Sequence, residues 1–217
     1  MKRIVSILAL LALAATANAG TSMVTNGSFE TGTSIPTPPD YIHVPKLGTD
    51  ITGWSVDGAW GVDYMGPLPG GWQARDGSRS VDLNGAGGPG SIFQVITTVK
   101  DDWYTVAFAL SGSPAAPRGI KDMQISADGS SAVFSFDTST TGMNNTAADM
   151  KWQDYTWTFK ASSTVTVLKF TSLQPNNGYG PALDNVSMES AVPAPGAILL
   201  CGLGTALVGA IRRRRVL

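Results

Sequence analysis

Cysteine is all but missing from this chain. Cys201 is the only one in 217 residues, and it stands in an apolar stretch close to the C-terminus. The body of the protein therefore has no disulfide, no thiolate nucleophile and no cysteine-ligated metal. Histidine is equally scarce, with His43 alone. There is no H-E-x-x-H zinc signature and no phosphate-cradling glycine loop. A Ser-His-Asp triad would have to be built on His43, and no G-x-S-x-G elbow supports one, so His43 is read as an exposed loop residue. Glutamate is limited to Glu30 and Glu189. A glycosidase needs two carboxylates across a cleft, and although aspartates can supply them, no motif marks a pair. These absences point away from an enzyme.

Charge is also sparse, at 14% of residues, and unevenly placed. Six of the fifteen basic residues lie at the two ends of the chain, whereas all sixteen acidic residues lie between positions 20 and 191. That body carries nine Lys and Arg against its sixteen acids, a net charge of −7 that the near-neutral total conceals. An acidic body without Lys/Arg clusters excludes nucleic acid as a partner, because phosphate binding depends on such clusters.

The basic ends have their own logic. Lys2 and Arg3 precede the apolar run Ile4 to Ala14 and then Ala17-Asn18-Ala19. A charged start, a short apolar core and a small-residue cleavage site make residues 1–19 a signal peptide for signal peptidase, so the mature chain is expected to begin at Gly20, outside the cytoplasm. At the other end, residues 197–211 are apolar or small except for Thr205. A helix of this length rises about 22 Å against a hydrocarbon core of ~30 Å, so it spans only with local thinning. It has no polar face to present to water, and Gly202, Gly204 and Gly209 make it a poor soluble helix. The arginines Arg212, Arg213, Arg214 and Arg215 hold its end on the cytoplasmic side. Residues 192–217 thus read as a membrane-directed tail, and residues 20–191 as one domain.

Within that domain helical periodicity is nearly absent. Tyr104, Val106, Phe108 and Leu110 alternate with Thr105, Ala107 and Ala109, and Tyr155, Trp157 and Phe159 alternate with Thr156 and Thr158. Phe134 and Phe136 repeat the pattern; Arg79–Leu83, Ser91–Thr97, Met123–Ala127 and Ala182–Met188 are further short strands. Val165 and Val167 share a face before Leu168 and Phe170 take the other, which predicts a bulge or a strand buried on both sides. Thr31–Asp50, with four prolines, reads as a long loop, as do Gly66–Gly71 and Gly85–Gly90. Many short strands separated by turn residues predict an all-β antiparallel sandwich. Trp103 and Trp157, inside alternating runs, are expected in its core.

Two resemblances sharpen this reading. The order Val192-Pro193-Ala194-Pro195, a short apolar helix, then Arg212 to Arg215 resembles the PEP-CTERM sorting signal of Gram-negative bacteria that make extracellular polysaccharide. The family's usual middle residue is Glu, and here it is Ala194. The resemblance implies recognition by an inner-membrane exosortase: the body is tethered in the periplasm through its C-terminal helix and then passed to the cell surface or extracellular matrix. A plain membrane anchor is the alternative. In the body, Asn26-Gly27-Ser28-Phe29-Glu30 near the start and Leu183-Asp184-Asn185-Val186-Ser187 near the end resemble the choice-of-anchor C family. Between them, Asp76 to Leu83 and Trp152 to Ser163 keep the same order. These segments are also similar to related plant cell-wall proteins and, more distantly, to galactose-binding-like carbohydrate-binding modules. The implied fold is a jelly-roll (galactose-binding-like) β-sandwich.

By that resemblance Glu30 and Asp184, with the carbonyl of Ser28, are candidate ligands of a structural Ca²⁺ where the chain ends meet, further carbonyls coming from Asp76–Ser78. The alternative is that both carboxylates bond backbone amides without a metal. Trp54, Trp60, Trp72 and Tyr64, near Tyr41 in the Gly-rich first third, are candidate sugar-stacking residues, with Asp63, Gln73 and Arg75 as partners for hydroxyls. The same rings can instead cover the ends of the sandwich. The expected function is a non-catalytic surface or matrix protein that binds exopolysaccharide or cell-wall glycan. The alternatives are a structural biofilm protein with protein partners and a weak glycan hydrolase.

Overall fold

A computed structural model of the chain describes residues 22–191. The expected signal peptide (1–19) and sorting segment (192–217, helix 197–211) lie outside the described residues. Among the described residues all regular structure is β, in thirteen strands: β1 Tyr41–Val44, β2 Ser55–Asp57, β3 Val62–Met65, β4 Ser80–Asp82, β5 Asn84–Gly85, β6 Gly88–Pro89, β7 Ser91–Thr97, β8 Trp103–Gly112, β9 Ile120–Ala127, β10 Ser130–Asp137, β11 Gln153–Lys160, β12 Val165–Ser172 and β13 Pro181–Ser190. They form a six-stranded sheet in the order β1-β3-β4-β13-β8-β11 and a five-stranded sheet in the order β10-β9-β12-β7-β2, with β5-β6 as a small ladder. All the pairings are antiparallel. The fold is an all-β sandwich.

The period of two along each strand decides what faces inward. In β8, Tyr104, Val106, Phe108 and Leu110 enter the core, as alternation predicts. Phe108 meets Phe170 of the opposite sheet at 5.6 Å between ring centroids, and Trp54 meets both Phe29 and Phe170. Burying one such ring stabilises by about 1.5–3 kcal/mol. Between β10 and β11, the Tyr155 hydroxyl donates to Ser135 O and its ring packs on Phe134.

Several expectations are corrected. Tyr41–Val44, inside the segment read as loop, is a strand paired with β3. Gly85–Gly90 contributes to the small β5-β6 ladder. β12 has no bulge: Thr166, Leu168 and Phe170 are buried, and Val165 and Val167 face solvent. The irregularity falls in β13 between Asp184 and Ser187, where Asn185 takes a φ of 49°. Trp103 is exposed rather than core, because it stands on the outward side of β8 beside Lys160.

The opening and closing motifs meet. Val186 N donates to Gly27 O and Met23 N to Met188 O, both at short distance. A Cβ on Gly27 would lie 1.8 Å from Val186 O, so only glycine fits this contact.

Candidate functional site

The outward face of the six-stranded sheet carries a row set by register. His43 of β1 opposes Asp63 of β3, Asp63 opposes Asp82 of β4, and Asp82 opposes Ala182 of β13. Their sequence neighbours Val44, Tyr64, Val81 and Leu183 are all in the core, so alternation turns the row away from it. A second cluster, Met65, Trp72, Met150 and Ala182, packs on this outer face under the loops that follow β3 and precede β11. With residues 113–115 and 178–179 these loops enclose a cleft of about 310 Å³. Asp63 and Asp82 lie on its floor, and Tyr41, Trp72 and Tyr179 are among its walls. Tyr41 and Tyr179 are each 38% exposed, whereas Asp63 is 9% and Asp82 3% exposed.

The two acids are held differently. His43 Nδ1 lies 2.9 Å from Asp63 Oδ1. Asp82 Oδ1 accepts the amide N–H groups of Asn84 at 2.9 Å and Gly180 at 3.0 Å. Burial pushes the Asp63 carboxyl up, against the pull of His43. Burial also pushes Asp82 well above the usual carboxylate range; the amides and Lys121 oppose this, while Asp63 adds to it. Burial lowers Lys121, whose Nζ donates to Pro117 O and Tyr179 O, both at 2.9 Å. Among the described residues no Lys or Arg lines the cleft. The site thus offers carboxyl groups and ring faces in a half-enclosed space, which suits a polyhydroxylated ligand. Among the described residues no serine hydroxyl bonds His43, so no Ser-His-Asp triad is assembled.

Of the residues singled out from sequence, Tyr41, Asp63 and Trp72 line this one cleft, and the others lie elsewhere. Trp54 is 2% exposed and Tyr64 fully buried; both lie between the sheets, where no ligand reaches them. Trp54 Nε1 donates to Asn26 O, and the Tyr64 hydroxyl donates to Phe29 O and accepts from Arg79 Nη1. Trp72 is buried, bonds Ser80 Oγ through Nε1 at 2.6 Å and forms part of the cleft wall. Trp60 is 45% exposed and lies across the turn at Gly87–Gly88. A Cβ on Gly87 would meet the six-membered ring at 2.4 Å, and one on Gly88 would meet Cδ1 at 2.7 Å. Both halves of the indole therefore rest on glycine backbone. Gln73 Oε1 is occupied by Met150 N, and Arg75 pairs with Asp154 at 2.7 Å. His43 is on a strand rather than in a loop. Asp82 and Tyr179 were not singled out from sequence; the available signal was an acid flanked by apolar residues in Ser80-Val81-Asp82-Leu83.

Glu30 and Asp184 close on one loop. Glu30 Oε1 accepts Ser78 N and Arg79 N at 2.8 and 2.7 Å, and Oε2 accepts Ser78 Oγ. Asp184 Oδ2 accepts Arg75 N and Asp76 N at 2.7 and 3.0 Å, and Oδ1 accepts Asn185 N at 2.6 Å. Ser28 is half-buried in the turn before Glu30. Ca²⁺ requires six to eight oxygens, whereas these carboxylates face N–H and O–H donors whose protons fill the space a cation would take. Among the described residues no group of three or more His, Cys, Asp or Glu is placed to hold a metal ion. The donor set does not fit Ca²⁺ in this arrangement and matches the amide-bonded alternative.

Residues 22–189 match a family model described as a protein of unknown function, DUF642. The chain belongs to the DUF642 family. No curated protein sequence matches this DUF642 chain. Among solved structures, TmCBM61 in complex with beta-1,4-galactotriose is 15% identical with a TM-score of 0.44, covering 79% of this chain and 99% of that one. The CBM22-1 xylan-binding domain of Paenibacillus barcinonensis Xyn10C is 15% identical with a TM-score of 0.43, covering 77% and 94%. The arabinose-bound MgGH51 α-L-arabinofuranosidase is 10% identical with a TM-score of 0.50, covering 78% of this chain and 26% of that one. At such identities the likeness is one of fold alone.

Proposed function

We propose that this DUF642 chain is a non-catalytic glycan-binding protein of the bacterial exterior, with the cleft over Asp63 and Asp82 as its binding site. One observation carries the reading: two buried carboxyls stand side by side on a strand floor, flanked by half-exposed Tyr41 and Tyr179. Carboxyl oxygens bond sugar hydroxyls, and tyrosine rings cover the apolar faces of sugar rings while keeping a polar tip in water. The carbohydrate-binding modules of similar fold are in keeping with this. Export rests on residues 1–19 and sorting by an exosortase on residues 192–217, with the choice-of-anchor C and PEP-CTERM resemblances behind them; a Gram-negative cell surface or matrix is the destination they imply.

The test is affinity electrophoresis in a panel of neutral and acidic polysaccharides. Retardation by at least one polymer, lost in Tyr41→Ala and Tyr179→Ala, is expected; unchanged mobility in every polymer refutes the reading. The adjacency of Asp63, Asp82 and His43 favours one second reading, a glycan hydrolase. Release of reducing sugar by the purified chain, abolished in Asp82→Asn, would establish it.

A further inference from the structure

Asp63 and Asp82 each leave one oxygen free. Their Oδ1 atoms are engaged, by His43 and by the amides of Asn84 and Gly180. Neither Oδ2 bonds any group among the described residues. Neither is sealed in, because the one buried side-chain oxygen without a partner among the described residues is Asn145 Oδ1. Both acids line the cleft and are more than nine-tenths buried, so their free oxygens open into it. The cleft floor is therefore two unpartnered oxygens on directly opposed residues of neighbouring strands.

We propose that this pair makes the cleft specific for uncharged sugars: Asp63 Oδ2 accepts from one hydroxyl, Asp82 Oδ2–H donates to its neighbour, and acidic sugars are excluded. The assignment deepens the glycan-binding reading and rests on it. Asp82 is the donor for a geometric reason. Its Oδ1 already accepts two amide N–H groups, so a proton on this carboxyl resides on Oδ2, and burial with Asp63 alongside keeps that proton on. Asp63 is the acceptor because the imidazole of His43 faces its other oxygen. Adjacent sugar hydroxyls each donate and accept, and so match a donor beside an acceptor.

An acidic sugar would place its charge against Asp63 with no Lys or Arg among the described lining residues to answer it. The groups around the pair are His43 and Tyr41 from β1, Tyr179, and Asp40, whose Oδ2 accepts Gly70 N at the cleft wall. Lys121 of β9 is the nearest lysine acting on Asp82, and its ammonium bonds the carbonyls of Pro117 and Tyr179. A like charge brought into such a space is disfavoured both by repulsion and by desolvation.

The test is titration calorimetry with the full chain in 0.5 M NaCl, which screens the general acidity of the body. Galactan, mannan and β-glucan oligosaccharides are each measured beside their own C6-oxidised forms, which differ only in carrying carboxylates. The neutral form is expected to bind at least ~10-fold more tightly, and Asp63→Asn to reduce that gap. Asp82→Asn, which keeps an N–H donor at the Oδ2 position but cannot ionise, is expected to bind neutral sugar with an affinity that does not fall as pH rises to ~9.5. The native chain loses affinity as Asp82 ionises and the donor disappears. Equal affinity for neutral and oxidised sugars overturns the inference and leaves glycan binding standing. Loss of neutral-sugar binding in a folded Asp82→Asn overturns the donor assignment. Failure of every neutral and acidic sugar to bind overturns the glycan-binding reading itself.

Discussion

Gly77 and Glu30 should be energetically inseparable. Gly77 lies at a φ of 67°, and a Cβ there would stand 2.4 Å from Glu30 Cδ. Gly77→Ala thus carries two costs. Holding alanine in a left-handed conformation costs about 1 kcal/mol. Displacing the glutamate removes its bonds to Ser78 N, Arg79 N and Ser78 Oγ, worth about 2 kcal/mol together because water partly replaces them. The single substitution should therefore cost about 3 kcal/mol, or about 6–12 °C in Tm for a domain of this size. Glu30→Ala alone should cost about 2 kcal/mol. In the double variant the glutamate is no longer there to be displaced, and the total stays at about 3 kcal/mol rather than the additive ~5 kcal/mol. Urea denaturation of the four proteins, with m unchanged across them, measures the cycle. Additive costs would show that the carboxylate does not hold this loop.

Other outcomes follow from the same geometry. Burial pushes the Asp184 carboxyl up to about 7, against the pull of three amide N–H groups. Because the folded value lies above the unfolded one, its contribution is full below about pH 4 and is lost as pH rises to about 7, by at most ~4 kcal/mol. Asp184→Asn should flatten that decline in a pH series of denaturation curves, and an unchanged slope would refute the assignment. Millimolar Ca²⁺ should leave Tm unchanged; a rise of several degrees, reversed by chelator and absent in Glu30→Ala, would put an ion at the meeting of the chain ends. Trp54→Ala should cost about 3–5 kcal/mol by emptying the core, whereas Trp60→Ala on the surface should cost under about 1 kcal/mol; similar Tm losses for the two would contradict their placement.

What could be read from the sequence followed the range of the interaction. β7 spans Ser91–Thr97 as expected, and β8 to β13 contain the short apolar runs that the sequence marks. Those strands pack one face on a shared core, so a local pattern carries their whole signal. The first third was harder. β1, β2 and β3 have three or four residues each, among prolines and glycines, and register with distant strands holds them in place. The cleft was harder still. Asp63 and Asp82 occupy outward positions, which in a sequence read as solvent-facing. Only loops from four separate parts of the chain turn those positions into a buried floor. The tryptophans misled for the converse reason: a Gly-rich setting suggested exposure for Trp54, yet its ring closes the space between Phe29 and Phe170. The meeting of the two terminal motifs was anticipated, through resemblance rather than pattern.

The acidity of the body now has a structural account. An excess of carboxylates over Lys and Arg would be repulsive if ion pairs were their only means of stabilisation. Here many bond backbone N–H groups instead, and they do so where the chain lacks strand partners. Along residues 66–79, between β3 and β4, Asp40 takes Gly70 N, Asp184 takes Arg75 N and Asp76 N, and Glu30 takes Ser78 N and Arg79 N. Elsewhere Asp128 holds Ser162 N and Asp137 holds Ser139 N. The 66–79 segment also supplies Gly70, Gly71 and Trp72 to the cleft wall. Holding this loop and shaping the cleft are therefore one task, shared by carboxylates that do not themselves line it. It follows that Glu30→Ala should weaken sugar binding without touching the sugar, through a looser wall at Trp72. Unaltered affinity in that variant, together with unaltered accessibility of Trp72 to acrylamide quenching, would mean that the wall stands without the clamp.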